Sequence, residues 1–386
     1  MLWINFLHLY QPAAADKEII AAAIAKSYHR LVKALLKNPR VKFTLNVSGC
    51  LLEKIDELGC HALLAGIKKL LARGQIELTG TAAYHPILPL IPADEAKAQI
   101  KLQEKLLKKY FGKIKTRGFF LPEMAYSPAI AALIKNLGYE WIILDEMSNG
   151  HRLKKLDCGR IYADANSGLK IIFRERRLSQ SYVPKTIQRL LDENSGQIAV
   201  TATDAELYGL NYNDLSGRLE KLIQRPDLQT ETVSAFIKKQ ASPESIAPVA
   251  SSWESTPAEL RRGQPFALWQ NKRNKIQLKI WELARLAWET AERYDNDCQR
   301  LWVERHLRRG LASCTFWWAS GHNFKNLFGA LSWSPDEIER GVNELTKAVR
   351  SIDDSASRAA KIKAEKLCLE IKKLIWNKHW KYYWKK

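Results

Sequence analysis

The chain has 386 residues, 46% hydrophobic and 26% charged. With 19 Gly and 14 Pro, that mix excludes collagen-like and low-complexity chains and fits an ordinary globular protein. Lys and Arg number 61 against 41 Asp and Glu, a formal net charge of +20. That field attracts polyanions, but the basic residues are spread along the chain with no RRM, KH or zinc-finger pattern. The charge therefore reads as a solvated basic surface, and no nucleic-acid partner is expected.

The length allows two to three domains, or one large α/β barrel with an appendage. Six cysteines without a C-x-x-C pair point to reduced thiols. The first eight residues lack a basic n-region and end on His8, and no window reaches 18 apolar residues. No membrane association is expected, and the location read from these features is cytoplasmic.

Short apolar, β-branched runs cover residues 2–9, 41–47, 75–81, 118–121, 141–144, 169–173 and 197–203. Helical patterns such as 19–36, 62–72, 94–110 and 128–137 lie between them. Both faces of the runs are apolar, as in a parallel sheet covered by helices. Seven consecutive βα units favour a closed or nearly closed barrel over an open sheet. After Leu210 a polar stretch with Pro226, Pro243 and Pro248 reads as loops and short helices. Long amphipathic runs follow at 274–293, 296–318, 335–352 and 356–380. Thirteen tryptophans mark the chain, most of them in this second half and the last at Trp384. The division expected is a barrel over 1–255 and a Trp-rich helical domain over 256–386 that completes the cleft.

A chemically capable side chain closes each run: His8, Asn46, His85, Glu123, Asp145 with Glu146, Arg174, and Asp204 with Glu206. In a β/α barrel the C-terminal strand ends converge on one mouth, where catalysis sits. Glu123 follows Pro122 among apolar and aromatic neighbours, a setting that tunes a carboxyl pKa. Two carboxylates from two strands of one mouth meet the requirement of glycoside hydrolysis, one as nucleophile and one as proton donor. The alternative for these carboxylates is a pair of unrelated helix caps. His8 and His85 fit substrate donors, metal ligands or satisfied core histidines; without an H-x-x-H or H-x-x-x-H pair the metal signal is weak. Trp253, Trp317 and Trp318 lie in polar contexts that suit sugar platforms, whereas the other tryptophans fit core packing.

Four short regions in order carry a resemblance: 8–12, 74–89, 118–127 and 203–209. They resemble those of glycoside hydrolase family 57, which includes α-amylases, 4-α-glucanotransferases, amylopullulanases and branching enzymes. The resemblance implies an incomplete (β/α)7 barrel with a C-terminal α-helical domain and a retaining, cofactor-independent mechanism on α-glucans. It makes Glu123 the nucleophile and Asp204 the acid/base. His8, Gln11, His85 and Glu206 would bind substrate, and more weakly so would Arg174, Trp253, Trp269 and Trp317. No metal or other cofactor is implied.

Three features depart from the family's pattern. Where the fourth region usually reads Asp-Gly-Glu, this chain has Asp204-Ala205-Glu206. The stretch 311–320, comparable to the fifth region, has no acid. The chain is short, leaving little room for the glucanotransferases' extra β-domain or the branching enzymes' extended C-terminal region. An α-amylase is the simplest expectation. A 4-α-glucanotransferase or branching-type transglycosylase is the close alternative, followed by a non-catalytic glucan-binding homologue and a zinc-dependent glycosidase or deacetylase.

Overall fold

The run 2–9 is apolar on both faces, and the strand it forms is buried along all but its first residue. The computed structural model describes residues 1–150, 156–240, 242–321 and 332–383; Trp384 lies outside them. Among the described residues ten strands form: β1 Leu2–Leu9, β2 Phe43–Val47, β3 Ile76–Leu78, β4 Gly118–Phe119, β5 Trp141–Asp145, β6 Ile161–Asp164, β7 Lys170–Arg174, β8 Ile198–Asp204, β9 Gln229–Glu231 and β10 Glu244–Ile246. Each of the seven expected runs carries a strand. One sheet has the order β3-β2-β1-β8 with β9 also on β1, and the other has the order β10-β6-β7-β5-β4.

Among the described residues all pairings between these strands are parallel except β6 with β7. Two sets of hydrogen bonds join the sheets. Gly80 donates to Gly118 at 2.9 Å and accepts from Phe120 at 2.8 Å, beside β3 and β4. The Glu175 amide, just past β7, donates to Val200 of β8 at 2.8 Å. A core cluster including Ile4, Phe6, Phe120, Trp141, Ile172 and Val200 draws on strands of both sheets.

Three strands depart from the sequence reading. β9 and β10 fall in the stretch read as loops and short helices, and each is only three residues long. So short a polar strand shows no alternation, and pairing with a neighbour alone reveals it. β6 is four residues long, too short to stand out beside β7. The pattern 19–36 is likewise interrupted: helices Lys17–Ala23 and His29–Lys37 are joined by a π-helical turn, Ile24–Tyr28.

The chain divides into two compact units. The first comprises Met1–Gln11, Ala15–Ala83 and Leu88–Leu260, and contains all ten strands. The second comprises Pro12–Ala14, Tyr84–Ile87 and Arg261–Lys386. Its helices include Lys275–Arg293, Arg300–Gly310, Ser313–Trp317, Pro335–Arg350 and Arg358–Tyr383. Local signals set their starts. Asn274 Oδ1 accepts from the amides of Ile276 and Gln277, and Ser334 accepts from Glu337 ahead of Pro335 at the first helical position. The expected run 296–318 is broken at Leu311 and Ala312, where Ala312 bridges to Pro86. Inside this unit Trp281 stacks on Phe316 at 4.0 Å and donates to the Trp269 carbonyl at 2.9 Å. Trp302 and Trp380 stay about half exposed, so core packing does not account for every tryptophan. Among the described residues no helix is long and apolar enough to cross a membrane.

Candidate active site

β1 lies between β2 and β8, and its register aligns His8 with Asn46 on one side and Asp204 on the other. The Asn46 amide nitrogen donates to Thr79 Oγ1 at 3.0 Å and to the Gly80 carbonyl at 3.4 Å. A carbonyl can only accept, so Asn46 Oδ1 is the atom facing His8 Nδ1, 2.8 Å away. His8 therefore carries its proton on Nδ1, which leaves Nε2 as an acceptor. Burial pushes its pKa down to about 3, with Asn46 opposing, so the ring is neutral through the working range. Phe120, Tyr10 and Trp253 surround it at ring separations of 4.5, 5.7 and 6.5 Å.

Glu123 sits in a 3₁₀ turn, Pro122–Met124, beyond β4. Its φ is 59° and that of Met124 is 48°, a left-handed conformation that costs a non-glycine residue about 1–3 kcal/mol. Surrounding contacts hold it there. Met124 is anchored in the core, and Tyr126 exchanges backbone hydrogen bonds with Ser251. The Trp253 amide donates to the Glu123 carbonyl at 3.1 Å, and the Trp253 indole donates to Glu123 Oε2 at 2.8 Å.

Asp204 ends β8, and Glu206 follows in the turn Ala205–Leu207. Glu206 is buried and accepts from Gln11 Nε2 at 2.8 Å and from the Tyr28 hydroxyl. The π-helical turn also holds the loop's backbone. Ser27 Oγ donates to the Ala205 carbonyl at 2.6 Å. Gly209, at φ 116°, lies so close to the Lys26 carbonyl that a Cβ would stand 2.4 Å from it.

Asp204 keeps an exposed surface at the strand mouth, yet enough protein surrounds it for desolvation to raise its pKa. The Arg174 cation opposes that rise and Glu254 adds to it. Glu206 is also raised, first by burial and then by the Asp204 charge, against the donors Tyr28 and Gln11. Two interacting carboxyls titrate as a pair.

Arg174, on β7, is committed to protein partners. Nε donates to Asp145 Oδ2 at 2.6 Å, Nη1 to the Ala202 carbonyl at 2.9 Å and Nη2 to the Trp253 carbonyl at 3.4 Å. Its guanidinium lies over the Trp253 ring, 5.1 Å from the centroid. His8, Gln11, Glu123, Arg174, Asp204, Glu206 and Trp253 thus belong to one unit and are linked by these contacts.

His85, Trp269 and Trp317 belong to the second unit. His85, at φ 57°, is buried with Nδ1 2.9 Å from Ser313 Oγ, and its carbonyl accepts from the Ser313 amide at 2.9 Å. Trp269 is buried, whereas Trp317 is half-buried with its ring edge-to-face with Trp318 at 4.6 Å. Sequence reasoning missed Tyr28, which sits at helical spacing beside Ile24, Leu31 and Val32 and reads as core. Among the described residues no group of three or more His, Cys, Asp or Glu side chains is arranged to hold a metal ion.

Glycosidic bond cleavage calls for two carboxyl groups, and Glu123, held by an indole N–H, and Asp204, partly desolvated, are the candidates here. The family profile "Glycosyl hydrolase family 57" matches residues 4–250, and the chain belongs to that family. An α-amylase of Pyrococcus horikoshii is 29% identical over 225 residues, covering 53% of this chain and 34% of that protein. A 4-α-glucanotransferase of Thermococcus litoralis is 27% identical over 222 residues, covering 54% and 33%. The chain thus spans about a third of the length of these curated relatives. A family 57 branching enzyme structure from Pyrococcus horikoshii shares the fold, with a TM-score of 0.69 at 17% identity. That match covers 95% of this chain and 94% of the other.

Proposed function

We propose that this protein cleaves α-1,4-linked glucans with retention of anomeric configuration, most simply as an α-amylase. The observation that supports the reading is a Glu123 carboxylate fixed by the Trp253 indole, with the raised carboxyl of Asp204 as its proposed partner. Protonated Asp204 gives its proton to the glycosidic oxygen as a Glu123 oxygen attacks the anomeric carbon. The C–O bond to the leaving sugar breaks and a β-glucosyl ester on Glu123 forms. Asp204, now a base, takes a proton from an incoming hydroxyl that attacks the same carbon and releases Glu123. Water as that nucleophile gives hydrolysis; a sugar hydroxyl gives transfer.

The architecture inferred with this mechanism is an incomplete (β/α)7 barrel of β1, β2, β3, β4, β5, β7 and β8. The bonds of Gly80 with Gly118 and Phe120, and of Glu175 with Val200, support it. His8 Nε2 would accept from a sugar hydroxyl, and Gln11 and Glu206 would bind the same glucosyl unit. Arg174 would act through Asp204 and Trp253. His85, Trp269 and Trp317 are proposed as substrate-binding from family resemblance. Transglycosylation is the second reading, since relatives of comparable identity include a 4-α-glucanotransferase.

Product analysis with maltoheptaose and amylose, beside Glu123→Gln and Asp204→Asn, tests the assignment. Shorter sugars alone identify a hydrolase, and a ladder above the starting length identifies a transferase. Full activity in both variants would overturn the mechanism. No product on any α-glucan would favour the non-catalytic reading, and loss of activity on chelation the zinc-dependent one.

A further inference from the structure

The segments that follow β7 and β8 enclose a groove of about 790 Å³, within the range of small-ligand sites. It lies in the first unit, on residues 177–189 and 212–218, which continue from the strands ending at Arg174 and Asp204. Two features set its chemistry. Tyr212 stacks on Tyr182 with ring centroids 4.6 Å apart and planes 15° from parallel, and remains 50% exposed. A supported aromatic face of this kind accepts the C–H-rich face of a pyranose through dispersion contacts.

The second feature is unbalanced charge. Arg177, Lys185 and Arg218 line the groove with exposed side chains, and none of the three makes an ion pair among the described residues. Arg189 also lines it, with Glu193 at 3.8 Å. The one acid among the lining residues is Asp214, which is already occupied. It accepts from Arg30 Nη2 at 3.0 Å, from Ser216 Oγ at 2.8 Å and from the Arg218 amide at 2.8 Å. The groove therefore presents an aromatic platform beside three exposed cations, of which Arg177 has Glu175 as a charged neighbour.

We propose that this groove binds a phosphorylated hexosyl unit, its ring on Tyr212 and its phosphate between Arg177, Lys185 and Arg218. A phosphate dianion has the charge and the several acceptor oxygens that a cluster of Arg and Lys satisfies. The saccharide part rests on the α-glucan reading; the anion part rests on the groove alone. Stacking tyrosines with cations also suit single-stranded nucleic acid. The compact volume and the continuity with the strand ends carrying Arg174 and Asp204 favour the sugar. The phosphate could belong to a free sugar phosphate or to an ester on a glucan chain.

Calorimetric titration of the full chain tests this with glucose 6-phosphate, glucose, a phosphorylated maltodextrin, the same dextrin after phosphatase treatment, and an oligothymidylate. The expected result is at least tenfold tighter binding of a phosphorylated ligand than of its unphosphorylated counterpart. If only glucose 6-phosphate gains, the ligand is the free sugar phosphate; if only the dextrin gains, it is the chain ester. The double variant Arg177→Glu/Lys185→Glu should reduce the preference to within twofold, and Tyr212→Ala should weaken phosphorylated-ligand binding about three- to tenfold. Unchanged melting temperatures would show that these surface variants fold. No phosphate preference, a preference kept by the double variant, or tighter binding of the oligonucleotide than of either sugar would each overturn the proposal. Repeating the titration on Glu123→Gln separates the two readings. A chain inactive on every α-glucan that keeps the phosphate preference sinks only the catalytic assignment, and an active chain without the preference sinks only the groove.

Discussion

The Trp253 indole N–H donates to Glu123 Oε2 at 2.8 Å, while the Trp253 backbone N–H donates to the Glu123 carbonyl at 3.1 Å. One residue thus fixes both the carboxylate and the strained backbone that presents it. A hydrogen bond to a charged group contributes about 1.5–3 kcal/mol. Trp253→Phe keeps a ring near His8 and Phe120 but removes the indole donor. The expected outcome is a fall in kcat of about 10–100-fold with KM within about threefold. A kcat within threefold of wild type would reduce Trp253 to a packing residue.

The Glu206 carboxyl is raised by burial and by the Asp204 charge, and this links its titration to stability. In the unfolded chain a Glu returns to its ordinary range, so across the window between that range and the raised value the native state holds more protons. Stability therefore falls as pH rises through that window. Glu206→Gln removes the titration while keeping an oxygen to accept from Tyr28. Relative to wild type, the variant should gain about 1–3 kcal/mol on going from pH 5 to pH 8.5, read from denaturant midpoints. A difference that stays flat with pH would contradict the burial-raised carboxyl. Tyr28→Phe, which removes the hydroxyl that holds Glu206, should lower kcat/KM about 10–100-fold.

The strands and their terminal side chains were legible because a doubly covered strand leaves a run of apolar residues that ends at a polar one. Glu123, Asp204 and His8 could be singled out as candidates on that ground. The partners that set their chemistry could not. Tyr28 lies 178 positions from Glu206 and Trp253 lies 130 from Glu123, and neither pairing leaves a periodic trace. The π-helical turn was hidden for a related reason. One wider turn at Ile24–Tyr28 hardly alters an amphipathic pattern, although it delivers both Ser27 and Tyr28 to the loop that carries Ala205 and Glu206. Arg174 shows the converse. Its place at a strand end was evident, whereas its commitment to Asp145 and two carbonyls emerges only from the folded contacts.

Asp145 is fully buried and in register with Arg174, and it also accepts from Arg176 Nη1 at 2.7 Å and from the Met147 amide at 3.0 Å. Asp145→Asn would leave a buried guanidinium without its counter-charge. Breaking one side of such a pair costs about 3–5 kcal/mol, so urea denaturation should show a loss of that size. Arg174 opposes the rise in the Asp204 pKa. If the variant lets Arg174 shift away, the basic limb of the pH–rate profile should move to higher pH. A variant as stable as wild type would show that the two arginines are not held by Asp145.

Ala205 stands where the family's fourth region usually has glycine, and the question is whether its turn needs a left-handed backbone. It does not: among the described residues, positive φ in non-glycine residues is confined to His85, Glu123, Met124 and Asn194. The Ala205 side chain is buried, and its carbonyl is held by Ser27. The methyl group is therefore accommodated without strain, and restoring glycine brings no conformational relief. Ala205→Gly should cost about 1–2 kcal/mol, from lost burial and from greater freedom of the unfolded chain. Because Asp204 and Glu206 keep their partners, kcat on maltoheptaose should stay within about twofold. A glycine variant tenfold faster than wild type would show instead that the methyl group holds the two carboxylates away from their working geometry.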